Sequence, residues 1–494
     1  MKLAERTRFW EILPGAMVWT TLFIAIVLSL VKPIWMIYFI ILFDLYWLIR
    51  ITYFLPFLVQ SWWKYRNALR RNWQADVEKL KGYADLRQII FLPFSKEGPG
   101  ILRETLKNIA EGTYPAKRLI IVLAAEQQYE ENARAVEKEV RGLFQETFAE
   151  LHFTFHPPGL PGEIRGKGSN LHWAAEEIIP KLIEHGLDPE KTVVSSFDAD
   201  TIVHAQYFSY LGYLFLTVPE PTRSSYQPVA LYNNNLWESP APVRVAMFGT
   251  TFWLLTELGR PEGMMTFSSH SMSLKMLMDV GYWQKDIVSE DSRIFLQGLV
   301  HYDGRYRVTP MYLPVSMDTV MTGDYWKALI ALYKQLRRWA WGVENFPYMI
   351  KAFAGRPNMK RSEKWWWALK QLEGTYTWST APFLIFILGY LPFFVAPEAF
   401  RGFAVFQNTP FTLQWLMRFS LVGMFTSAFI AMTLLPPRPK HMSRPVAYGI
   451  MVLQWALLPV TFVLFSAVPA LDAQTRMMLG KKLGFNVSPK RKVE

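Results

Sequence analysis

The sequence predicts an α/β domain with a mostly parallel sheet, inserted between α-helical transmembrane segments. Three observations lead there. Apolar runs long enough to cross a bilayer stand toward both ends of the 494-residue chain. Short continuous apolar runs alternate with helical patterns in its middle, and acidic residues follow the ends of those runs. The chain is 51% hydrophobic and 16% aromatic, enough to bury a large core and still offer apolar surface to lipid. It has no cysteine, which excludes a disulfide framework and thiolate-held metal, so a divalent ion must sit on oxygen or histidine. The net charge of +12 suits anionic partners, and the basic residues concentrate beside the apolar runs. That distribution points to membrane lipids and away from nucleic acid.

Residues 1–63 read as a transmembrane hairpin. From Leu13 to Val31 the only polar residues are Thr20, Thr21 and Ser29. At helical rise such a run spans the hydrocarbon layer of roughly 30 Å. Lys32-Pro33 makes the turn, and a second run goes from Ile34 to Ile49 and on through Ile51 to Val59. Lys2, Arg6 and Arg8 precede the hairpin and Lys64, Arg66, Arg70 and Arg71 follow it, which puts both ends in the cytoplasm. The chain is therefore expected to be integral to a plasma or inner membrane, with residues 64–354 cytoplasmic.

Those residues have α/β character. Ile89 to Pro93, Leu119 to Leu123, Leu151 to Phe155 and Val193 to Phe197 are strand candidates, with Arg103 to Glu111 and Ala174 to Ile183 as helices between them. In open α/β sheets ligands bind at the carboxyl ends of the strands, so Glu97, Glu126, Asp198 and Asp200 are expected to face one crevice. Tyr226-Gln227-Pro228 is compatible with a turn or with the border of an acceptor site. Residues 355–375, with Trp365-Trp366-Trp367 among basic residues, suggest an interfacial helix. Residues 376–470 hold further apolar runs from about Ala381, Leu413 and Val446, and 471–494 form a basic tail. Basic residues on both sides of the run from Val446 to Val468 conflict with one simple span, a conflict that a re-entrant or interfacial segment bent at Pro459 would reconcile.

Three clusters carry chemistry. Asp198 and Asp200 sit two apart after a strand, where hard oxygen ligands can meet Mg²⁺ or Mn²⁺ bridging a diphosphate. Glu290-Asp291 follows Ser289; acids there stabilise a helix dipole with Ser289 as N-cap, and a carboxylate so placed can also act as general base. In Gln335-Leu336-Arg337-Arg338-Trp339, Arg337 or Arg338 can neutralise a diphosphate while Trp339 offers a flat face to a sugar. The same cluster also suits an amphipathic helix at the lipid surface. His270, in Ser268-Ser269-His270-Ser271, reads as a hydrogen-bonded structural histidine.

In this order the motifs resemble those of the membrane-embedded family-2 glycosyltransferases, which include cellulose, chitin and hyaluronan synthases. The resemblance runs from the strand with Pro93 and Glu97 through Gly166-Lys167-Gly168-Ser169-Asn170, Asp198-Ala199-Asp200, Glu290-Asp291 and Gln335 to Trp339. The tail adds Phe485-Asn486-Val487-Ser488-Pro489-Lys490, similar to the gating loop of cellulose synthases with serine in place of threonine. The family usually carries paired aspartates after its second strand, where this chain has Leu123-Ala124-Ala125-Glu126.

The resemblance implies a nucleotide-sugar-binding domain of GT-A type. It implies a nucleoside-diphosphate sugar as donor, a UDP-sugar foremost, and a saccharide or lipid acceptor. Asp198 and Asp200 would hold the metal-diphosphate, with Glu97, Glu126, Lys167, Asn170, Arg337 and Arg338 at the donor. Asp291, beside Glu290, would be the base, Gln335 and Trp339 would meet the acceptor, and Phe485, Val487, Ser488 and Lys490 would close over the donor. The implied reaction is inverting hexosyl transfer to a growing polysaccharide, coupled to its translocation. Two other readings share the sequence: a non-processive enzyme acting on a lipid acceptor, and a translocation protein regulated by nucleotide without catalysis.

Overall fold

The apolar runs of the middle of the chain form one half of an eight-stranded sheet in a computed structural model that describes residues 2–440 and 442–484. The strands are β1 (Arg87–Phe94), β2 (Leu119–Glu126), β3 (Glu150–His156), β4 (Thr192–Ser196), β5 (Ile202–Val203), β6 (Ser224–Tyr232), β7 (His270–Ser273) and β8 (Arg307–Met317). Their order is β3-β2-β1-β4-β7-β6-β8-β5. The pairs β1–β2, β1–β4, β2–β3 and β6–β8 are parallel, while β4–β7, β6–β7 and β5–β8 are antiparallel. Every residue of β2 is buried, so the strand shows no polar alternation, as a strand covered on both faces requires. The helix Pro99–Ala110 crosses from β1 to β2, starting on a proline whose missing N–H costs a first turn nothing. Glu130–Phe144 and Lys167–Glu184 continue the alternation.

Tyr226-Gln227-Pro228, read as a turn or site border, lies inside β6. Proline cannot donate to a ladder, and the β6–β8 register slips between Pro228 and Val229, a bulge that accommodates it.

Among the described residues, five helices are long and apolar enough to cross a membrane: Arg8–Val31, Pro33–Ala68, Arg361–Val395, Ala404–Thr433 and Arg444–Met478. The first two lie in α1 (Lys2–Val31) and α2 (Pro33–Ala68), joined at Lys32 as the hairpin pattern requires. The expected interfacial helix at 355–375 and the span after it are one stretch; no glycine or proline terminates it early, and Trp365 and Trp366 are exposed near its start. Within Arg444–Met478 the α-helix gives way at Gln454–Leu457 and at Val463–Ala467, on either side of Pro459. Near the start of this stretch Trp237 of the α/β domain donates to the Pro437 carbonyl (3.0 Å). Further along, Trp455 stacks on Phe252 with ring centroids 5.9 Å apart. Its end closes on α1: Trp19 donates to Thr475 (2.9 Å), Arg8 donates to the Met477 carbonyl (2.9 Å), and a Cβ at Gly15 would stand 2.9 Å from the Gln474 carbonyl.

The α/β domain docks on α2 through the end of the helix Ala241–Leu258. A Cβ at Gly259 would lie 2.7 Å from the Phe57 carbonyl and 2.9 Å from Ser61 Oγ, and Tyr312 donates to the Leu258 carbonyl at 2.9 Å. Gly259→Ala is expected to wedge this contact open and cost about 1–3 kcal/mol, read as a lowered thermal midpoint of the detergent-solubilised protein.

Candidate active site

The crevice forms where β4 and β8 end and β7 begins, beside the first turns of the helices Lys167–Glu184 and Glu290–His301 and the last turn of the helix Tyr325–Ala340. β4 stops at Ser196 because Phe197 turns into the core, and the next residues, Asp198 and Asp200, leave the sheet together. Ser268 donates to Asp198 Oδ2 (2.7 Å), and the Asp318 amide, just past β8, donates to Asp200 Oδ2 (2.8 Å). Asn234 bridges the Asp200 carbonyl (3.3 Å) and Asp318 Oδ1 (3.1 Å). Asp318 thus joins the two expected aspartates. Its only sequence signal was an acid directly after a strand.

Lys167 opens the helix Lys167–Glu184, and its buried ammonium gathers the carboxylates. It lies 3.0 Å from Asp198 Oδ1, 3.0 Å from Asp291 Oδ1 and 3.8 Å from Glu290 Oε1. Burial works against the charge, and the attraction of Asp198, Asp291 and Glu290 outweighs it, holding the ammonium pKa above its ordinary value. The approach needs Gly168, where a Cβ would stand 2.9 Å from the Gln284 carbonyl and 3.1 Å from Glu290 Cβ. For Glu290, burial and then repulsion by Asp291 raise the pKa well above the usual carboxylate range, and Lys167 only partly offsets them.

Ser289 stands at the N-cap position of the helix Glu290–His301, yet it makes no capping bond among the described residues. Its hydroxyl donates instead to Glu344 Oε1 (2.6 Å), which also accepts from the Ser289 amide (3.1 Å), while Trp341 Nε1 donates to Oε2 (2.9 Å). Glu344 follows the Gln335–Trp339 cluster by one further turn and ties it to the acidic loop, a role its sequence position did not signal. Thr266 donates to the Asp291 carbonyl (2.6 Å) from the other side.

His270, in β7, is fully buried; Nδ1 lies 2.8 Å from the Phe267 carbonyl, which places the proton on Nδ1, and 3.8 Å from Asp291 Oδ1. Burial lowers its pKa and keeps it neutral, as a structural histidine should be.

The helix Tyr325–Ala340 carries the basic-aromatic cluster. Gln335, Arg338 and Trp339 share one face by helical spacing. Gln335 is buried with Oε1 unpartnered among the described residues, and Trp339 packs on Tyr232 with ring centroids 5.5 Å apart. The charge of Arg338 acts on Glu290 and Tyr232. Arg337 points elsewhere: Nη1 donates to Asp472 Oδ2 (2.8 Å), which also accepts from Tyr333 (2.9 Å). The structure thus separates the two arginines.

At the far side of the crevice, Glu126 ends β2, buried 3.4 Å from His156 Nδ1, whose other ring nitrogen lies 2.9 Å from Glu163. Asn170 donates to the Ala124 carbonyl (2.8 Å) and so pins the Lys167 helix to β2. Glu97 folds back on its own turn, accepting from the Ser95 amide (2.7 Å). The expected gating residues Phe485, Val487, Ser488 and Lys490 lie outside the described residues.

Among the described residues, no group of three or more histidines and acids could hold a metal ion by itself. Asp198 and Asp200 nonetheless fit Mg²⁺ or Mn²⁺ in the way such ions are usually bound, by one or two carboxylates with phosphate oxygens of the substrate supplying further ligands.

No protein-family model matches the chain, and no curated protein matches it in sequence. Similar solved structures include the mannosyltransferase PcManGT from Pyrobaculum calidifontis in complex with GDP-Man and Mn²⁺, at 15% identity over 88% of this chain and 99% of that one, TM-score 0.45. TarS 1–349 of S. aureus in complex with UDP-GlcNAc matches at 10% identity over 81% and 94% of the two chains, TM-score 0.36. The glucosyl-3-phosphoglycerate synthase of Mycobacterium tuberculosis in complex with Mn²⁺, UDP and phosphoglyceric acid matches at 14% over 52% and 78%, TM-score 0.32.

Two outcomes follow from the charge cluster. Lys167→Met leaves three carboxylates without their shared cation and is expected to destabilise the fold by roughly 3 kcal/mol, less than a fully buried pair would lose because Asp198 is partly open to solvent; chemical denaturation measures it. Because the folded-state pKa of Glu290 is raised, the folded form holds a proton that the unfolded form releases, so stability falls as pH climbs above the ordinary glutamate range. Glu290→Gln is expected to flatten that decline in melting temperatures taken across a pH series.

Proposed function

We propose that the chain is a membrane glycosyltransferase of family-2 type, with a GT-A domain that moves a sugar from a nucleoside-diphosphate donor to a saccharide hydroxyl with inversion. The observation that carries this reading is the convergence on Lys167 of Asp198 and Asp291, residues 93 positions apart in sequence, each 3.0 Å from the same ammonium. One carboxylate group suits the diphosphate side of a transfer and the other the acceptor side.

In this reading Asp291 accepts the proton of the acceptor hydroxyl as that oxygen attacks the anomeric carbon. The bond from that carbon to the diphosphate breaks with its electron pair going to the leaving group, and the new glycosidic bond forms on the opposite face. Arg338 and Lys167 face the charge that develops on the diphosphate. Asp198 and Asp200 would hold Mg²⁺ or Mn²⁺, which when bound neutralises the diphosphate. Trp339, braced by Tyr232, and Gln335 border the acceptor. Glu344 acts only through Ser289 and the base loop, which makes it a positioning residue. The basic residues flanking α1 and α2 support a cytoplasmic placement of the domain.

Asp291→Asn is expected to lower transfer by about 10³-fold while donor binding persists. Radiolabelled transfer and calorimetry on the same preparation read the two effects separately, and normal turnover by this variant would remove Asp291 from the base role.

A further inference from the structure

A cavity of about 490 Å³ lies apart from the acidic cluster, between α2, the helix Ala241–Leu258 and the stretch Arg361–Val395. Met264, Met265 and Phe267 form part of its wall, and Thr266 in that same segment donates to the Asp291 carbonyl (2.6 Å). The cavity therefore borders the segment that supports the proposed base.

Its lining divides by chemistry. Arg50, Arg260 and Lys370 face Glu257 and Glu373 there, three cations against two carboxylates. Arg50 pairs with Glu373, while Glu257 is shared by Arg260 and by Lys370 (3.2 Å). One positive charge is left in excess within walls that are largely apolar. Arg260 Nε is buried without a hydrogen-bond partner among the described residues. Much of the remaining lining is aromatic, and Tyr46, Tyr53, Trp253 and Trp366 within it are 41–55% exposed, on or beside helices long enough to cross a membrane.

A cationic interior behind an aromatic mouth on membrane-length helices fits a ligand with a phosphate head and an apolar tail. A free saccharide would leave the excess charge half-buried and uncompensated. We propose that this cavity seats the phosphate of a membrane lipid that carries the acceptor saccharide, so that the acceptor reaches Asp291 sideways from the bilayer. The phosphate makes and breaks no bond; it holds the acceptor by Arg260 and Lys370. This rests on the glycosyltransferase reading and names its acceptor class.

The test uses the full chain in phosphatidylcholine vesicles with labelled donor. Three probes are offered in turn: a polyprenyl-phosphate-linked sugar, the same sugar free in solution, and the free sugar with phosphatidylglycerol added to the vesicles. Label is expected on the lipid-linked probe, and the R260Q/K370Q double variant is expected to raise its KM by about tenfold or more, with donor binding by calorimetry unchanged. Equal labelling of free and lipid-linked sugar overturns the proposal, as does an equal gain from phosphatidylglycerol, which would make the cavity a general anionic-lipid site. If the double variant fails to bind donor, native mass spectrometry of the wild-type chain decides: retention of the lipid-phosphate probe over phosphatidylcholine supports the site, and no retention overturns it. Failure of the glycosyltransferase reading itself has a different signature, namely no nucleoside diphosphate released from any donor with any acceptor.

Discussion

The arrangement of the crevice depends on one buried ammonium among acidic groups that repel one another. Asp198, Glu290 and Asp291 come from two separate parts of the chain, and without a cation between them their mutual repulsion in a poorly solvated crevice would drive them apart. Lys167 supplies that cation from the first turn of a helix whose second residue must be glycine for the approach to be possible. Attraction alone does not settle the geometry. Glu344, Ser268 and Thr266 hold the acidic segments by hydrogen bonds, so the cluster is fixed by hydrogen bonding as well as by ion pairing.

The same cluster ties the α/β domain to the membrane-length helices. Arg337 and Tyr333 reach Asp472 in the closing helix, while Gln335, Arg338 and Trp339 on another face of the same helix look toward the acids. One helix thus carries two kinds of contact, sorted by its 3.6-residue period. Adjacent arginines that the sequence treats alike are separated by about 100° of helical turn and serve opposite sides.

Much of this was legible in the chain itself. β1, β2 and β4 announce themselves because strands buried on both faces must be continuously apolar, the edge strand β3 by its alternation, and Asp198 and Asp200 stand out as polar residues where such a run stops. The first two long apolar helices were equally plain from the length of their runs. β6 was not, because Gln227-Pro228 carries the signature of a turn and only the bulge beside β8 explains its place in a sheet. Asp318 and Glu344 escaped for a related reason: each acquires its role through a partner far away in sequence, and neither sits in a spacing that local chemistry would single out. Ser289 looked like a helix cap, but a tertiary acceptor took its hydroxyl.

Arg8, Gly15 and Trp19 on α1 meet Gln474, Thr475 and Met477 near the end of the stretch Arg444–Met478, so α1 finds this neighbour hundreds of residues further along the chain. Until then a groove shaped for another helix stays open, exposed to lipid or to whatever guides insertion. Chain order therefore lets the α/β domain complete its sheet before the stretch Arg444–Met478 that packs on α1 has been made.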